Sequence, residues 1–480
     1  MQLIFEKGTK ERHGVTIPKK TVPTNLTISK KLLRETEIGL PNVSELDVLR
    51  HYTNLSKLNF SVDTNFYPLG SCTMKYNPRA NEAASRMSGF ANLHPVMSIN
   101  AGGEEMCQGA LQLLFEVQEA LAEITGMKAI CPQPMAGAHG ELAGLMLIRA
   151  YHKKHNHKKT KIIVPDSAHG TNPATATIVG YDVISIPSNK SGGVDLEALK
   201  AAMNDEVAGM MLTCPNTLGL FDTSIKEICK IIHQYNGLMY YDGANLNAIA
   251  GRVRPGDLGF DVIHLNLHKS FSTPHGGGGP GSGVIGVSEK LIEFLPTPHV
   301  IKDEEGIFKL EYNIPNSIGA IAPFFGNYGV IIRAFSYILM LGAEGIRNIS
   351  NFSVLHANYI KEKLKDVYEL PYDNVCMHEC VFSAIKQLQH DVSALDIAKA
   401  LLDRGFHAPT MYFPLIVKEA LMIEPTETES KETIDAFIDA MRELAQLAIS
   451  DPQSIKSAPV TTPIGRLDEV AAAKDMIFKI

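Results

Sequence analysis

The chain has no strong charge of either sign, no cysteine framework, no internal repeat and no low-complexity stretch. Its 45 basic and 52 acidic side chains leave a net charge of −7, so no positive field marks it for nucleic acid. Seven cysteines (Cys72, Cys107, Cys131, Cys214, Cys229, Cys376 and Cys380) are scattered and odd in number. That excludes a disulfide scaffold and predicts free thiols in a reducing compartment. The run "CMHEC", Cys376 to Cys380, lacks a second ligand pair at finger-like spacing and reads as buried thiols entering a strand, not as a metal site. The N-terminus "MQLIFEKGTKERHG" lacks the apolar region of a signal peptide, and no apolar run is expected to span a bilayer. A cytoplasmic chain without membrane contact is the expectation. The one basic run, "HKKHNHKK" from His152 to Lys159, reads as the solvated end of a helix, where cations suit the dipole.

What is present is an ordinary globular composition, 45% apolar and 20% charged, over 480 residues, enough for two or three domains. Residues 1–75 are rich in Pro, Asn, Ser and Thr and read as an arm with one short helix, "SELDVLRHYTNLSKL". From Glu104 the pattern alternates. A long helix "GEEMCQGALQLLFEVQEALAEIT" ends at Gly126, and a second, "AGAHGELAGLMLIRAYHKKHN", follows. Apolar runs of strand length come next: "KIIVP", "DVISIP", "AGMMLTC", "LMYYD", "FDVIHLN" and "GVIGVS", several separated by helical segments. This predicts an α/β fold with a mostly parallel sheet in a large domain over 76–325. Residues 326–480 begin helically and are expected to form a helical linker and a smaller α+β domain.

Ligands in such sheets bind at the carboxyl ends of strands. Several polar motifs fall there. Lys269 follows "FDVIHLN", between His268 and Ser270, and precedes "STPHGGGGPGSG". Four consecutive glycines, Gly276 to Gly279, are costly to order and point to unusual backbone or close approach to a ligand. The loop lacks the Gly-Lys-Ser/Thr ending of a P-loop, and it comes too late, with Pro280 inside it, for a Rossmann fingerprint. A strand-end lysine is usually a surface charge; in a partly desolvated site it becomes an amine nucleophile or Schiff-base former. Asp242 ends "LMYYD" one strand earlier. It is either a turn residue or the acidic partner that pyridoxal 5'-phosphate (PLP) enzymes require beside their lysine. His169, in "SAHGTNPATA", is a structural histidine or a flat ring against a cofactor. "PMAGAHGEL" opens a helix whose amides at Ala136, Gly137 and Ala138 could cradle a phosphate; a bare turn and helix start is the equal alternative.

Longer motifs tie these residues together. "YPLGSCTMKYNP", "QPMAGAHGELAGL", "DSAHGTNPA", "PNTLGLFD", "DGANLNA", "HLNLHKSFSTPHGGGGPG" and "APTMYFPLIVKEALMIEPTETESKE" run in order along most of the chain. Together they resemble the glycine dehydrogenase (decarboxylating) family, the P-protein of the glycine cleavage system. The length resembles the second subunit of its two-chain form, the half that keeps the lysine. The resemblance implies the PLP-dependent transferase fold type I and glycine decarboxylation, with transfer of the aminomethyl group to the lipoyl arm of H-protein. It implies a companion first subunit, two of each chain in a heterotetramer. Carried onto this sequence, Lys269 would be the Schiff-base lysine and the first candidate for moving protons, with His169 next. Asp242 would hold the pyridine nitrogen, His169 would stack on the ring, and Ala136, Gly137 and Ala138, with His268, would surround the cofactor. The glycine loop would then serve as a passage or lid for the lipoyl arm, or simply as a crowded turn. "GSCTMK" around Cys72 is expected to approach the site from the arm. Two positions depart from the family pattern: Ser270 stands where threonine is commoner, and Cys214 where asparagine is. The competing readings are another fold type I enzyme, an aminotransferase or a cysteine desulfurase using Cys72, and a non-catalytic structural subunit.

Overall fold

The structure is a computed structural model. It describes the chain except residues 1, 10, 11, 13, 15–17, 20, 23–27, 37, 95, 96, 99–101, 277, 278, 280 and 477–480. Gly277, Gly278 and Pro280 of the glycine loop therefore lie outside the described residues.

Seven strands make the main sheet: β1 (Ala129–Cys131), β2 (Lys161–Pro165), β3 (Asp182–Ile186), β4 (Val207–Thr213), β5 (Leu238–Gly243), β6 (Val262–Asn266) and β7 (Gly283–Val287). Their order is β1-β7-β6-β5-β4-β2-β3. Strands β2 to β6 pair in parallel, and β7 runs antiparallel to both its neighbours. Every residue of β4 to β7 is buried, as expected of strands with helices on both faces. Alternation sorts them: Met210, Tyr241 and Ile263 join one core, Met211, Tyr240 and Val262 the other. The helix Gly137–Lys154 packs on the second of these faces, with Leu145 and Ile148 in its core. All six expected strands are present; β1, only three residues long, is too short to leave a pattern.

A hairpin of β8 (His299–Lys302) and β9 (Phe308–Glu311) leads on to the helix Tyr328–Leu364, which bends at Gly342 (φ 59°). This helix corrects one expectation, because it is long and apolar enough to meet the length-and-composition test for a membrane span. Its buried Val330, Ile331 and Ala334 pack into the main core, and Ala357, Ile360 and Leu364 into a second one, which accounts for its apolar content. That second core belongs to an antiparallel sheet of β10 (Cys380–Ser383), β11 (Thr410–Met411) and β12 (Ala420–Ile423), with the helix Lys431–Ser450 against it. Phe66 enters the same core, and Leu69 bridges to Ile423, so the end of the arm is part of that second core's packing. The expected single helix from Gly103 to Thr125 is broken at Cys107. There the Gln108 side chain bonds both the Glu104 carbonyl and the backbone of Phe308, tying the bend to the hairpin.

Candidate active site

The carboxyl ends of β4, β5 and β6 open into a cleft of about 420 Å³. Register sets its floor. Thr213 is opposite Asp242, and Asp242 is opposite His264, so three polar side chains stand in one row across three strands. Asp242 is 2% exposed. Its Oδ2 accepts from Thr213 Oγ1 and Asn172 Nδ2, both at 3.2 Å, and its Oδ1 accepts from the Ala244 N–H at 3.0 Å. His264 Nε2 lies 3.3 Å from Oδ1, and its Nδ1 meets the Tyr240 hydroxyl at 2.7 Å. Burial alone would push the Asp242 carboxyl up, but His264, the Ala244 amide and Lys269 outweigh it and hold the pKa below the usual value.

The helix Gly137–Lys154 starts at the cleft. Ala136 before it is extended, and the first intrahelical bond runs from the Gly140 N–H to the Ala136 carbonyl at 2.9 Å. The amides of Gly137, Ala138 and His139 precede that bond and form the positive end of the helix. Glycine is needed here for space: a Cβ on Gly137 would lie 2.5 Å from Asn266 Oδ1. His268 borders the same corner. Its Nδ1 accepts from the Ser282 N–H at 3.3 Å, and burial, with His275 and Lys269 nearby, lowers its pKa to about 3. Asn266 Oδ1, Ser270 Oγ and Ser282 Oγ are buried without a partner. Amides at a helix start, with the unpartnered Ser270 and Ser282 hydroxyls able to donate, fit an anionic group such as a phosphate; the Asn266 amide oxygen, an acceptor, does not contribute to that fit.

Lys269 is half-buried in the single turn Leu267–Ser270 and lines the cleft. His169 also lines the cleft, with the Phe413 ring edge-on at 5.7 Å. Crowding by its surroundings lowers its pKa, partly offset by Asp242. Of the cofactor-site residues named from the sequence, Lys269, His169, Asp242, Gly137, Ala138 and His268 line one cleft, and Ala136 caps the helix that opens into it.

The sequence reading missed two groups. One is Glu141, on the first turns of that helix, bonded to Thr171 Oγ1 (3.0 Å) and Asn172 Nδ2 (2.9 Å). Burial and the nearby Asp242 raise its pKa to about 7. The signal was there: a carboxylate on a helix face whose residues three, four and seven positions on, Gly144, Leu145 and Ile148, are all apolar and buried. The other is a pair at the ends of β10 and β12, Glu379 and Glu424, both 0% exposed. Glu379 accepts from the Ser71 N–H at 2.7 Å. Glu424 accepts from the Cys72 and Thr73 N–H groups at 3.1 and 2.8 Å and from Thr73 Oγ1 at 2.6 Å. These carboxyls hold the arm loop Gly70–Thr73 over the cleft, with Ser71 and Thr73 at φ 62° and 52°. Lys75 follows, buried and paired with Glu427 at 2.7 Å. Cys376 and Cys380 are free buried thiols, and Glu379 between them faces the site.

The fold is shared with solved structures. A glycine decarboxylase (P-protein) of the glycine cleavage system superposes with a TM-score of 0.71 at 20% identity, covering 87% of this chain and 93% of that one. The cysteine desulfurase CsdA from Escherichia coli gives 0.61 at 16% identity, over 80% and 96%. The chain therefore has the fold of the PLP-dependent type I enzymes. Sequence is more specific. Residues 17–307 match the model of the glycine cleavage system P-protein, and residues 349–459 that of the glycine dehydrogenase C-terminal domain. A probable glycine dehydrogenase (decarboxylating) subunit 2 of Caldanaerobacter subterraneus subsp. tengcongensis is 56% identical over 99% of this chain and 98% of its own length. One from Listeria monocytogenes is 53% identical over 100% and 98%. This chain belongs to the glycine cleavage system P-protein family.

Proposed function

We propose that the chain binds PLP at Lys269 and decarboxylates glycine, passing the aminomethyl group to the lipoyl disulfide of H-protein. The observation that carries the reading is the meeting of Lys269, the ionised Asp242 and the Gly137 helix start in one cleft. Lys269 would hold the cofactor covalently, Asp242 its pyridine nitrogen, His169 its ring, and Ala136, Gly137, Ala138 and His268 its phosphate. Bound there, the cofactor supplies an electron sink for the charge left on the α-carbon when carbon dioxide departs.

The chain's own residues do the rest. Asp242 stays ionised although buried, so it can keep a hydrogen-bond partner protonated. Lys269 Nζ can give or take a proton at the cleft once its amine is free. No arginine is among the described residues lining the cleft. Cys72 lines the cleft, but burial pushes its thiol up to about 11, which disfavours the reactive thiolate a desulfurase needs.

The subunit 2 relatives support a companion first subunit, which we place in a heterotetramer with two of each chain. Exposed apolar side chains support such a contact: Leu49, Tyr52 and Leu55 on the arm helix, and Leu339, Met340 and Leu355 on the long helix. Seven free thiols accord with a cytoplasmic, reducing setting. The test is exchange of labelled bicarbonate into the carboxyl group of glycine, with PLP and lipoylated H-protein, with and without the first subunit. Exchange that vanishes in Lys269→Ala is expected. Bound PLP without exchange under any condition would turn the assignment toward amino-group transfer.

A further inference from the structure

Glu141 has no place in the reaction as proposed, yet its carboxyl reaches two functional side chains of the cleft, Asp242 and His169, through one intermediary each. Asn172 Nδ2 lies 2.9 Å from Glu141 Oε2 and 3.2 Å from Asp242 Oδ2. Thr171 Oγ1 lies 3.0 Å from Glu141 Oε1 and 2.7 Å from His169 Nδ1. We propose that Glu141, acting through the Thr171 hydroxyl, is the positioning residue that decides which ring nitrogen of His169 carries the proton.

Proton counting gives the argument. The Thr171 hydroxyl has one hydrogen and stands between two acceptors. If Glu141 is ionised, that hydrogen goes to Oε1, and the ring must donate from Nδ1–H to Oγ1. His169 Nε2 is then a bare acceptor. If Glu141 is protonated, it donates to Oγ1, the hydroxyl turns to Nδ1, and Nε2 carries the hydrogen. The Thr171 N–H, 3.2 Å from Nδ1, matches this second arrangement. Groups facing Glu141 come from every side: Asp242 and Tyr240 on β5, His264 on β6, and Lys269 beyond it. Of the two carboxyls bridged by Asn172, Asp242 is the better supplied with charge-stabilising partners, so the shared site places the proton on Glu141. Glu141 then titrates in the neutral range, where burial and Asp242 put its pKa at about 7.

The tautomer does not depend on the proposed reaction; only its use, making His169 Nε2 a donor or an acceptor toward a bound substrate, rests on that reading. The experiment is ¹⁵N NMR of histidine-labelled full-length chain, with and without PLP, the His169 signals assigned by their loss in His169→Gln. From pH 6.5 to 8.5 the proton is expected to move from Nε2 to Nδ1. In Glu141→Gln the amide oxygen must face Asn172 and the NH₂ must face Thr171, so Nε2 should stay protonated at both pH values. Thr171→Val should abolish the switch, and Thr171→Ser should restore it. A wild-type tautomer constant across this range, or a Glu141→Gln chain that switches like the wild type, overturns the proposal. Bicarbonate exchange in the same samples reads the reaction separately.

Discussion

On the floor of the cleft, Asp242 meets Thr213 and His264 because three neighbouring strands end in register. On the rim, Glu424 meets Cys72 and Thr73 across 352 and 351 residues of chain. The floor uses the sheet's own lattice: once the strands pair, its side chains have nowhere else to go. The rim has no lattice. It closes a long loop at an entropic cost and holds two non-glycine residues at positive φ. What replaces the lattice is a pair of buried carboxyl groups that accept backbone amides. Damage to the floor should therefore stop chemistry and leave folding largely alone, whereas damage to the rim should cost stability first.

Lys269→Ala is the sharpest test of the floor. Exchange should fall below detection, and the Schiff-base absorbance of bound PLP should disappear, with the unfolding midpoint nearly unmoved. Asp242→Asn keeps the shape and removes the charge, so a loss of about 10²–10³-fold in exchange is expected, by analogy with removing one preorganised electrostatic partner. A loss under tenfold would show that the carboxylate is structural. Glu424→Ala addresses the rim. It strands two backbone N–H groups, one hydroxyl and the Asn247 side-chain amide in a buried site, at about 1 kcal/mol or more each, so urea denaturation should report roughly 4 kcal/mol. Trypsin should also gain access near Lys75. An unchanged midpoint would mean that the arm loop holds itself.

Gly144→Ala probes not the floor but the helix–sheet packing beneath it, where Tyr240 and Val262 sit. Its Cβ would come within 2.3 Å of Tyr240 Cε2, which predicts a loss of about 1–3 kcal/mol by thermal or urea unfolding. The smallest effect is a pH slope. Glu141 has its pKa raised to about 7 by folding, so between the unfolded carboxyl's ordinary value near 4.5 and pH 7 the folded chain binds more protons than the unfolded one. Its contribution to stability then declines as pH rises through that window. Glu141→Gln removes the slope, so the variant should gain on the wild type from pH 5 to 7 and stay level above. A stability difference flat across that range would mean that Glu141 is ionised throughout.

The sheet was legible because β2 to β7 are short apolar runs bounded by polar strand ends, and the strand-end motifs located Lys269, Asp242, His169 and the Gly137 corner. Cys107 was not legible as a break, since nothing in its neighbourhood interrupts the helical period; the bend comes from the Gln108 contacts with the hairpin. Glu141 and Asn172 sat inside quoted motifs, yet their link to Asp242 is a matter of which helix face meets which strand. Glu379 and Glu424 gave no local sign of their partners at all.

Sequence alone determined the strands, the polar residues at their ends and the family, because those are written in periodicity and in motifs of consecutive residues. Only the tertiary structure decided that Thr213, Asp242 and His264 form a row, that Glu141 shares a hydrogen-bond bridge with Asp242, and that an arm loop closes over them. Those contacts join residues far apart in the chain, and what selects them is register, burial and the need of each buried polar group for a partner.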